Sequence, residues 1–210
     1  MAYLSTIIIC YLCGSIPFGL ILAKMNAIDI RQHGSGNIGA TNVLRILGKK
    51  WGYSCFFLDF LKGFLPVSLT YLYFSANLPD QADTAVIIAL PVTVAGHIFS
   101  IFLKFKGGKG VATGAGAITA LCPPAVFLAL VCWVACFKKT GYVSLASIIA
   151  AITIPVFATI LDVFGLVNSS TAQLILLSII GILVTYMHRS NIKRLREGTE
   201  SCFKKKEKAS

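Results

Sequence analysis

The segment from Arg31 to Arg45 combines glycines with hydroxyl, amide and cationic side chains, a mixture suited to binding an anion. Glycines let the backbone turn its N–H groups into one concavity, which binds phosphate especially well beside a helix N-terminus. Arginine can hold two phosphate oxygens at once. A flexible turn between helices is the alternative. The phosphate interpretation predicts contacts from these residues: Ser35, Gly36, Asn37, Gly39, Thr41, Asn42 and Arg45.

A second segment, Lys104 to Thr113, again joins glycines, lysines and a hydroxyl group. It is not a Walker A loop, because the four-residue gap before Gly-Lys-Ser/Thr is missing. Two segments with the same composition favour phosphate binding over a simple turn. The residues predicted to contact phosphate here are Lys104, Gly107, Gly108, Lys109 and Gly110.

The third polar segment runs from Tyr186 to Glu200, after the last apolar stretch. Its cations alone are typical of a stop-transfer flank that meets anionic lipid. That explanation does not require an imidazole, an amide and a carboxylate in the same segment. The candidate site residues are therefore His188, Asn191, Arg194 and Glu200, together with Ser144 from the polar segment that begins at Lys138.

Several kinds of chemistry are excluded by what the sequence lacks. It has no cluster of carboxylates in its basic segments to hold Mg²⁺, so we expect no metal site and no metal-dependent phosphotransfer. None of its three histidines is followed five residues later by aspartate, which removes the His-Asp device of coenzyme-A-dependent acyltransferases. There is no Gly-x-Ser-x-Gly elbow. A packing role is favoured for His97.

The elements that must position these segments are membrane helices. The chain has 210 residues, 56% hydrophobic and 13% charged, which excludes a soluble globule. Lys and Arg outnumber Asp and Glu by 19 to 8. In a membrane protein this excess is first a signal of topology, and second it indicates affinity for anionic lipid or an anionic ligand. The seven cysteines lie mostly in apolar runs, which favours small buried side chains over disulfides or metal ligands.

Six apolar runs are long enough to form or contribute to membrane spans. The first begins without Lys or Arg and is as long as a full crossing, so it is predicted to be a transmembrane helix and not a signal peptide. The runs are Leu4 to Ala23, Trp51 to Phe74, Thr84 to Leu103, Gly110 to Phe137, Tyr142 to Leu166 and Thr171 to Met187.

The positive-inside rule places both flanks of the run from Gly110 to Phe137 in the cytoplasm, so this run must cross an even number of times. Pro123 and Pro124 predict a break near its middle. The two short helices would form either a hairpin in thinned bilayer or a re-entrant pair. The fold class predicted is all-α, with about seven transmembrane helices, two of them short, the N-terminus outside and the C-terminus cytoplasmic. Asp59 and Lys62 are predicted to form an ion pair facing the helix bundle.

The chain resembles the bacterial acyl-phosphate-dependent glycerol-3-phosphate acyltransferases, the PlsY family. The resemblance covers nearly the whole chain, with proline expected where Ile38 and Ser100 stand. Its motifs are Gly34 to Arg45, Gly96-His97, Lys104 to Thr113, and His188 to Glu200.

The resemblance implies transfer of a fatty acyl group from acyl phosphate to the 1-hydroxyl of sn-glycerol 3-phosphate, giving lysophosphatidic acid and phosphate without a cofactor. It implies that Arg45, Lys104, His188 and Asn191 bind glycerol phosphate. Acyl phosphate is expected on the glycines with Ser35 and Thr41. The proton acceptor is either His188 or a substrate phosphate oxygen, and Glu200 is expected to order the tail through Arg194 or Lys193.

We expect one membrane domain over residues 1–200 and a basic tail over 201–210. The predicted location is the bacterial cytoplasmic (inner) membrane, with the site at the cytoplasmic face. Expected partners are the two substrates, membrane lipid and the soluble enzyme that makes acyl phosphate; nucleic acid is not expected, and the chain is predicted to be a monomer. A transporter of phosphorylated metabolites and a scaffold that binds anionic lipid are the alternatives.

Overall fold

The computed structural model describes residues 1–203, and these form ten α-helices and no β-strand. The predicted all-α membrane class is confirmed. The chain divides into two compact units, Met1–Pro123 and Pro124–Ser210. Most of the predicted basic tail, residues 204–210, lies outside the described residues, and the single domain over 1–200 stays a prediction.

The first unit contains six helices. Three of them, α1, α4 and α5, are mostly apolar and belong to segments long and apolar enough to cross a membrane, whereas α3 begins within the first glycine-rich segment. The helices are α1 (Ala2–Ser15), α2 (Phe18–Lys24), α3 (Ala40–Leu47), α4 (Lys49–Asn77), α5 (Ala82–Ile98) and α6 (Val111–Thr119).

The first predicted span is broken between α1 and α2, where Pro17 has no N–H to continue the helix. The break leaves carbonyl groups in need of donors inside an apolar environment. Lys62 Nζ donates to the Ile16 carbonyl oxygen at 2.6 Å, and Ser100 Oγ donates to the Ser15 carbonyl oxygen at 2.6 Å. Side chains from elsewhere in the unit therefore replace the lost helical bonds.

The predicted ion pair between Asp59 and Lys62 is confirmed. Asp59 Oδ1 lies 2.7 Å from Lys62 Nζ, and both side chains are buried. Because Lys62 also bonds the Ile16 carbonyl, the pair does more than neutralise two charges. It also ties α4 to the broken first span.

Small residues let the helices of the first unit approach closely, as is usual where helices pack within a membrane. A Cβ atom on Gly63 of α4 would strike the Thr113 carbonyl oxygen, and one on Gly116 of α6 would strike the Phe60 carbonyl oxygen. The two helices therefore meet backbone to backbone. This contact fixes α6, which carries the end of the second glycine-rich segment.

The second unit contains four helices. Gly181 packs against the Ala151 carbonyl oxygen, so α8 and α9 also approach closely, and α9 begins with a capping box between Ser170 and Gln173. The helices are α7 (Pro123–Thr140), α8 (Val143–Val163), α9 (Thr171–Met187) and α10 (Arg189–Arg196).

The break predicted at Pro123 is confirmed, but the two helices beside it are unequal. The nine residues of α6 reach about 14 Å, far less than a hydrocarbon core of about 30 Å. The 18 residues of α7 reach about 27 Å and are apolar enough to cross it. Proline at the first position of α7 starts a helix well, since its missing N–H is not needed there.

Five helical segments of residues 1–203 are long and apolar enough to cross a membrane, and the pair α9 and α10, bent by 54°, makes a sixth if counted as one span. The predicted count of seven crossings and the orientation of the termini stay predictions. The five segments are Ala2–Lys24, Lys49–Asn77, Pro79–Leu103, Pro123–Thr140 and Val143–Val163.

Candidate active site

The first glycine-rich segment, residues 34–42, is folded around the side chain of Asn42 and is called the Asn42 loop below. The Asn42 amide nitrogen lies 2.9 Å from the carbonyl oxygens of both His33 and Asn37 and 3.3 Å from that of Ile30. Its Oδ1 accepts the Ser35 N–H at 3.0 Å. Asn42 was predicted as a phosphate donor, but it is buried and committed to the loop, so the structure makes it a positioning residue.

The glycine amides of this loop are also used internally. Gly36 N–H donates to the His33 carbonyl oxygen, and Gly39 N–H donates to Asn37 Oδ1 at 2.8 Å. These two amides were predicted to bind phosphate and Asn37 to add a donor; in this conformation both amides already have an acceptor in the loop, and Asn37 Oδ1 is one of those acceptors. Glycine is still required at position 36, where φ is +69°.

The anion-binding capacity of the Asn42 loop lies instead at the start of α3. Among the described residues no side chain caps this helix at Gly39. The first amides of a helix generally lack helical acceptors and attract negative charge, although here the Asn42 N–H donates to the Gly39 carbonyl oxygen at 3.0 Å. Thr41 lies in this turn, Arg45 lies one turn further on, and the Ser35 side chain is exposed.

The second glycine-rich segment, residues 104–110, is called the Gly107 loop. Gly107 N–H donates to the Ile98 carbonyl oxygen at 2.9 Å, and Gly108 N–H donates to the His97 carbonyl oxygen at 3.1 Å. Both amides were predicted to bind phosphate. They instead cap the C-terminal end of α5, whose last carbonyls have no helical donors.

This loop resembles the first in how it ends. Gly110, with φ of +82°, precedes α6, and within residues 1–203 no side chain caps that helix. Lys104 is exposed and Lys109 is half-buried just before the helix begins. Each glycine-rich loop therefore uses amides internally and leads into a helix N-terminus that can accept an anion.

In the second unit the predicted residues gather on Glu200, and this group is called the Glu200 cluster. Ser144 Oγ donates to Oε1 at 2.7 Å, and Asn191 Nδ2 donates to the same oxygen at 2.6 Å. Arg194 Nε donates to Oε2 at 2.6 Å. Lys193, the other predicted neighbour of Glu200, lies 3.8 Å from Glu197 instead.

Glu200 was a candidate phosphate-binding residue with Ser144 and Arg194, and it was also expected to order the tail through Arg194 or Lys193; of these two it bonds Arg194. A carboxylate repels phosphate, and here it accepts hydrogen bonds from the Ser144 hydroxyl and from one of the guanidinium N–H groups of Arg194, so Glu200 positions its neighbours rather than the substrate. Partial burial by itself raises the pKa of Glu200, but the hydrogen bonds from Ser144, Asn191 and Arg194 bring that pKa below its usual range. The carboxyl group is therefore ionised at neutral pH.

His188 lies at the bend between α9 and α10, and its side chain is buried. Its Nδ1 is 2.8 Å from the Val184 carbonyl oxygen. Because a carbonyl can only accept, Nδ1 carries a proton. In the neutral ring Nε2 is then the basic nitrogen, the form needed to take a proton from a hydroxyl group.

The structure joins Ser144, Asn191 and Arg194 at Glu200, with His188 three residues before Asn191, while the other predicted residues lie in or next to the Asn42 loop and the Gly107 loop. The sequence interpretation missed the part played by Lys62 and Ser100 at the break in the first span. Pro17 within that apolar run was the available signal, since a proline inside a helix leaves carbonyl groups that need other donors.

Known proteins resemble this chain over nearly its whole length. Residues 4–198 match the family model described as glycerol-3-phosphate acyltransferase. A glycerol-3-phosphate acyltransferase of Geotalea daltonii is 46% identical over 93% of this chain and 94% of its own. One of Aquifex aeolicus is 41% identical over 97% of this chain and 100% of its own.

The fold also matches the crystal structure of PlsY (YgiH), an integral membrane glycerol 3-phosphate acyltransferase, in its glycerol 3-phosphate form. The TM-score is 0.86 at 40% identity, over 97% of this chain and 96% of that one. The form with lysophosphatidic acid gives a TM-score of 0.84. The resemblance found in the sequence motifs is confirmed, and the chain belongs to the glycerol-3-phosphate acyltransferase family.

Proposed function

We propose that this protein transfers a fatty acyl group from acyl phosphate to the 1-hydroxyl of sn-glycerol 3-phosphate. The observation that carries the proposal is the pair of glycine-rich, cationic loops, each leading into a helix N-terminus without a side-chain cap. Two such sites suit a reaction in which both substrates carry phosphate. The related PlsY structures in glycerol 3-phosphate and lysophosphatidic acid forms support the acceptor and the product.

In the proposed reaction, the 1-hydroxyl oxygen attacks the carbonyl carbon of acyl phosphate. A carbon–oxygen ester bond forms, and the bond from the carbonyl carbon to the phosphate oxygen breaks with its electron pair going to phosphate. The hydroxyl proton goes either to His188 Nε2 or to a phosphate oxygen. Phosphate is a good leaving group, so the reaction needs charge stabilisation and orientation more than a strong base.

Each unit is assigned its own groups. In the first, Arg45, Thr41 and Ser35 bind phosphate at the start of α3, while Lys104 and Lys109 bind phosphate at the start of α6. Supporting this assignment, Thr41 lies in the first turn of α3 and Lys109 comes two residues before the start of α6. Charge-assisted bonds from such groups are about twice as strong as neutral ones.

In the second unit, Asn191 and His188 are assigned to the acceptor substrate. Glu200 receives one amide hydrogen of Asn191, so the orientation of that amide is fixed. Ser144 and Arg194 complete the carboxylate's hydrogen bonds and are positioning residues.

The decisive experiment is a phosphate-release assay on the purified protein in detergent. Release must depend on both acyl phosphate and glycerol 3-phosphate, and mass spectrometry should find the acyl group on the 1-hydroxyl. Acyl-coenzyme A and acyl carrier protein serve as control donors and should give no product. Turnover with either control donor, or none with acyl phosphate, would refute the proposed donor.

The proton acceptor is tested by His188→Gln. If His188 is the general base, kcat falls by about 100-fold or more and the pH profile loses its acidic limb. If a phosphate oxygen takes the proton, most of kcat survives and KM for glycerol 3-phosphate changes instead. Arg45→Ala, which leaves the imidazole in place, is the matched control and should raise KM under either outcome.

We also propose that the reaction takes place at the cytoplasmic face of the bacterial inner membrane, where the basic segments are expected. Cys202, an exposed free cysteine two residues beyond Glu200, allows this to be tested. A membrane-impermeant maleimide should label it in inside-out vesicles and not in intact spheroplasts. The opposite pattern would refute the orientation.

A further inference from the structure

His97 lies at the last turn of α5 with its side chain only 4% exposed, and it contacts residues from several elements of the first unit. Its Nδ1 is 3.0 Å from Thr113 Oγ1, in the first turn of α6, and 3.9 Å from Asp59 Oδ1 in α4. Asp59 in turn pairs with Lys62. Both polar groups lie near the same ring atom, Nδ1, and only Thr113 is within hydrogen-bonding distance of it.

The Gly107 loop packs directly on this ring. A Cβ atom on Gly108 would overlap the Nε2 of His97, and one on Gly107 would overlap the His97 carbonyl oxygen. Both glycine amides are hydrogen-bonded to the end of α5 at the same place. The backbone of the loop therefore contacts His97 directly. Only glycine at positions 107 and 108 allows so close an approach.

The same loop contains two consecutive non-glycine residues in the left-handed region, Lys104 with φ of 52° and Phe105 with φ of 63°. Such conformations are strained for residues with a side chain and persist only where surrounding contacts fix them. The contacts here are Phe105 N–H to the Ser100 carbonyl oxygen at 2.8 Å and the bonds of Gly107 and Gly108 to α5. The backbone that carries Lys104 thus depends on how firmly the loop is held at α5.

We propose that His97 is a positioning residue for acyl transfer. Through its bond to Thr113 it fixes the start of α6, and through its ring it supports Gly108, so that Lys104 and Lys109 are held in the orientation that binds phosphate. The inference rests on the proposed function, because it assigns His97 a part in the phosphate site of the Gly107 loop. His97 itself does not touch the substrate.

Two substitutions of His97 separate positioning from packing. His97→Phe keeps the ring volume and loses the bond to Thr113, whereas His97→Asn places a polar atom near the position of Nδ1 and loses volume. If His97 positions the loop, the Phe variant loses about 100-fold in kcat/KM, mainly through KM, and the Asn variant recovers to within about tenfold of wild type. Simple packing predicts the reverse order, and that order would overturn the proposal.

Hydrogen exchange of the peptide covering residues 104–110 gives a measurement that does not need activity. The Phe variant should exchange these amides faster than wild type at an unchanged melting temperature. This result can be obtained even if the phosphate-release assay refutes the proposed reaction. Unchanged exchange together with unchanged kcat/KM would overturn the role of His97.

A second pair of variants tests the inference with His97 left in place, in case the His97 variants do not fold. Gly108→Ala pushes a methyl group against the His97 ring, while Gly114→Ala, in α6, places its methyl group in open space. We expect Gly108→Ala to raise exchange of the loop and lower kcat/KM at least tenfold. Gly114→Ala should match wild type in both measurements, and equal behaviour of the two variants would contradict the inference.

Discussion

The Asn42 loop and the Glu200 cluster order their site residues by opposite means. In the Asn42 loop one neutral, buried amide bonds three carbonyl oxygens and one N–H of the backbone. In the Glu200 cluster one ionised carboxylate collects donors from Ser144, Asn191 and Arg194. The first arrangement fixes the backbone, and the second fixes side chains.

This difference follows from the groups that each region has to hold in place, which are backbone amides in the Asn42 loop and side chains in the Glu200 cluster. The phosphate site proposed at the start of α3 needs a backbone of defined shape, and an asparagine can satisfy both donors and acceptors of a tight loop without adding charge. A carboxylate in the same place would repel the anion. In the second unit the side chains of Asn191 and Arg194 need to be oriented, and a carboxylate with two oxygens can accept from several of them at once.

The largest effect is expected from Asn42→Ala. It leaves three carbonyl oxygens and the Ser35 N–H without their side-chain bonds, each worth about 1–3 kcal/mol if it stays buried and unsatisfied. The loop should lose its shape, and kcat/KM should fall by about 100-fold or more. Asn37→Ala, which removes only the bond to Gly39 N–H, is the matched control and should cost less. Equal losses would show that Asn42 is not central to the loop.

Glu200→Gln should have the next largest effect. The substitution removes the charge that Arg194 meets at 2.6 Å and replaces one acceptor oxygen with a donor, so at least one of the three bonds is lost. Bonds to charged groups are worth about 1.5–3 kcal/mol, which corresponds to roughly 10- to 100-fold in kcat/KM.

Glu197→Gln provides the control for this substitution. Its carboxylate is half exposed and lies 3.8 Å from exposed Lys193, an arrangement that contributes little to stability. We expect its kcat/KM to stay within about twofold of wild type, so a similar loss in both variants would point to general helix damage and not to the Glu200 cluster.

The melting temperature at acid pH should distinguish the Glu200 cluster, which contains an ionised group, from the Asn42 loop, whose central side chain is neutral. The pKa of Glu200 is lower in the folded protein than its usual value, so the stabilisation from ionised Glu200 is complete above about pH 4.5 and is lost as the pH falls through the folded pKa. Asp29 also contributes, because its hydrogen bonds from Arg31 lower its pKa to about 2. We expect the melting temperature of wild type to fall more steeply below pH 4.5 than that of Glu200→Gln, while Asn42→Ala keeps the wild-type slope. Parallel curves for wild type and Glu200→Gln would contradict this.

The sequence predicted the parts of the fold that depend on composition and spacing. Apolar runs located the spans, Pro123 located the break, and the separation of Asp59 and Lys62 predicted their ion pair.

The direction of individual hydrogen bonds could not be predicted. Whether the amides of Gly107 and Gly108 face a ligand or the end of α5 depends on backbone dihedral angles, which composition does not determine. Similarly, whether Glu200 bonds Arg194 or Lys193 depends on where the chain turns after α10. The contact of Gly108 with His97 joins a loop to a helix, and the separation of these residues in the sequence follows no helical or strand period that would predict it.

The smallest effect tests whether the Glu200 cluster extends beyond its four residues. Residues 202 and 203 lie against the end of α7: Phe203 N–H donates to the Gly141 carbonyl oxygen at 3.0 Å, and its ring meets that of Phe137 edge to face. Such a ring pair is worth about 0.5–1.5 kcal/mol, so Phe203→Ala should lower kcat/KM by roughly two- to tenfold by loosening Glu200.

Removal of residues 204–210 is the control, because it leaves Phe203 in place, and we expect it to retain nearly full activity. If the truncation costs more than Phe203→Ala, the basic tail contributes to the reaction itself. If neither change affects kcat/KM, Glu200 is held sufficiently by Ser144, Asn191 and Arg194. The second unit would then resemble the first more closely, with one central side chain that needs no support from outside its own hydrogen bonds.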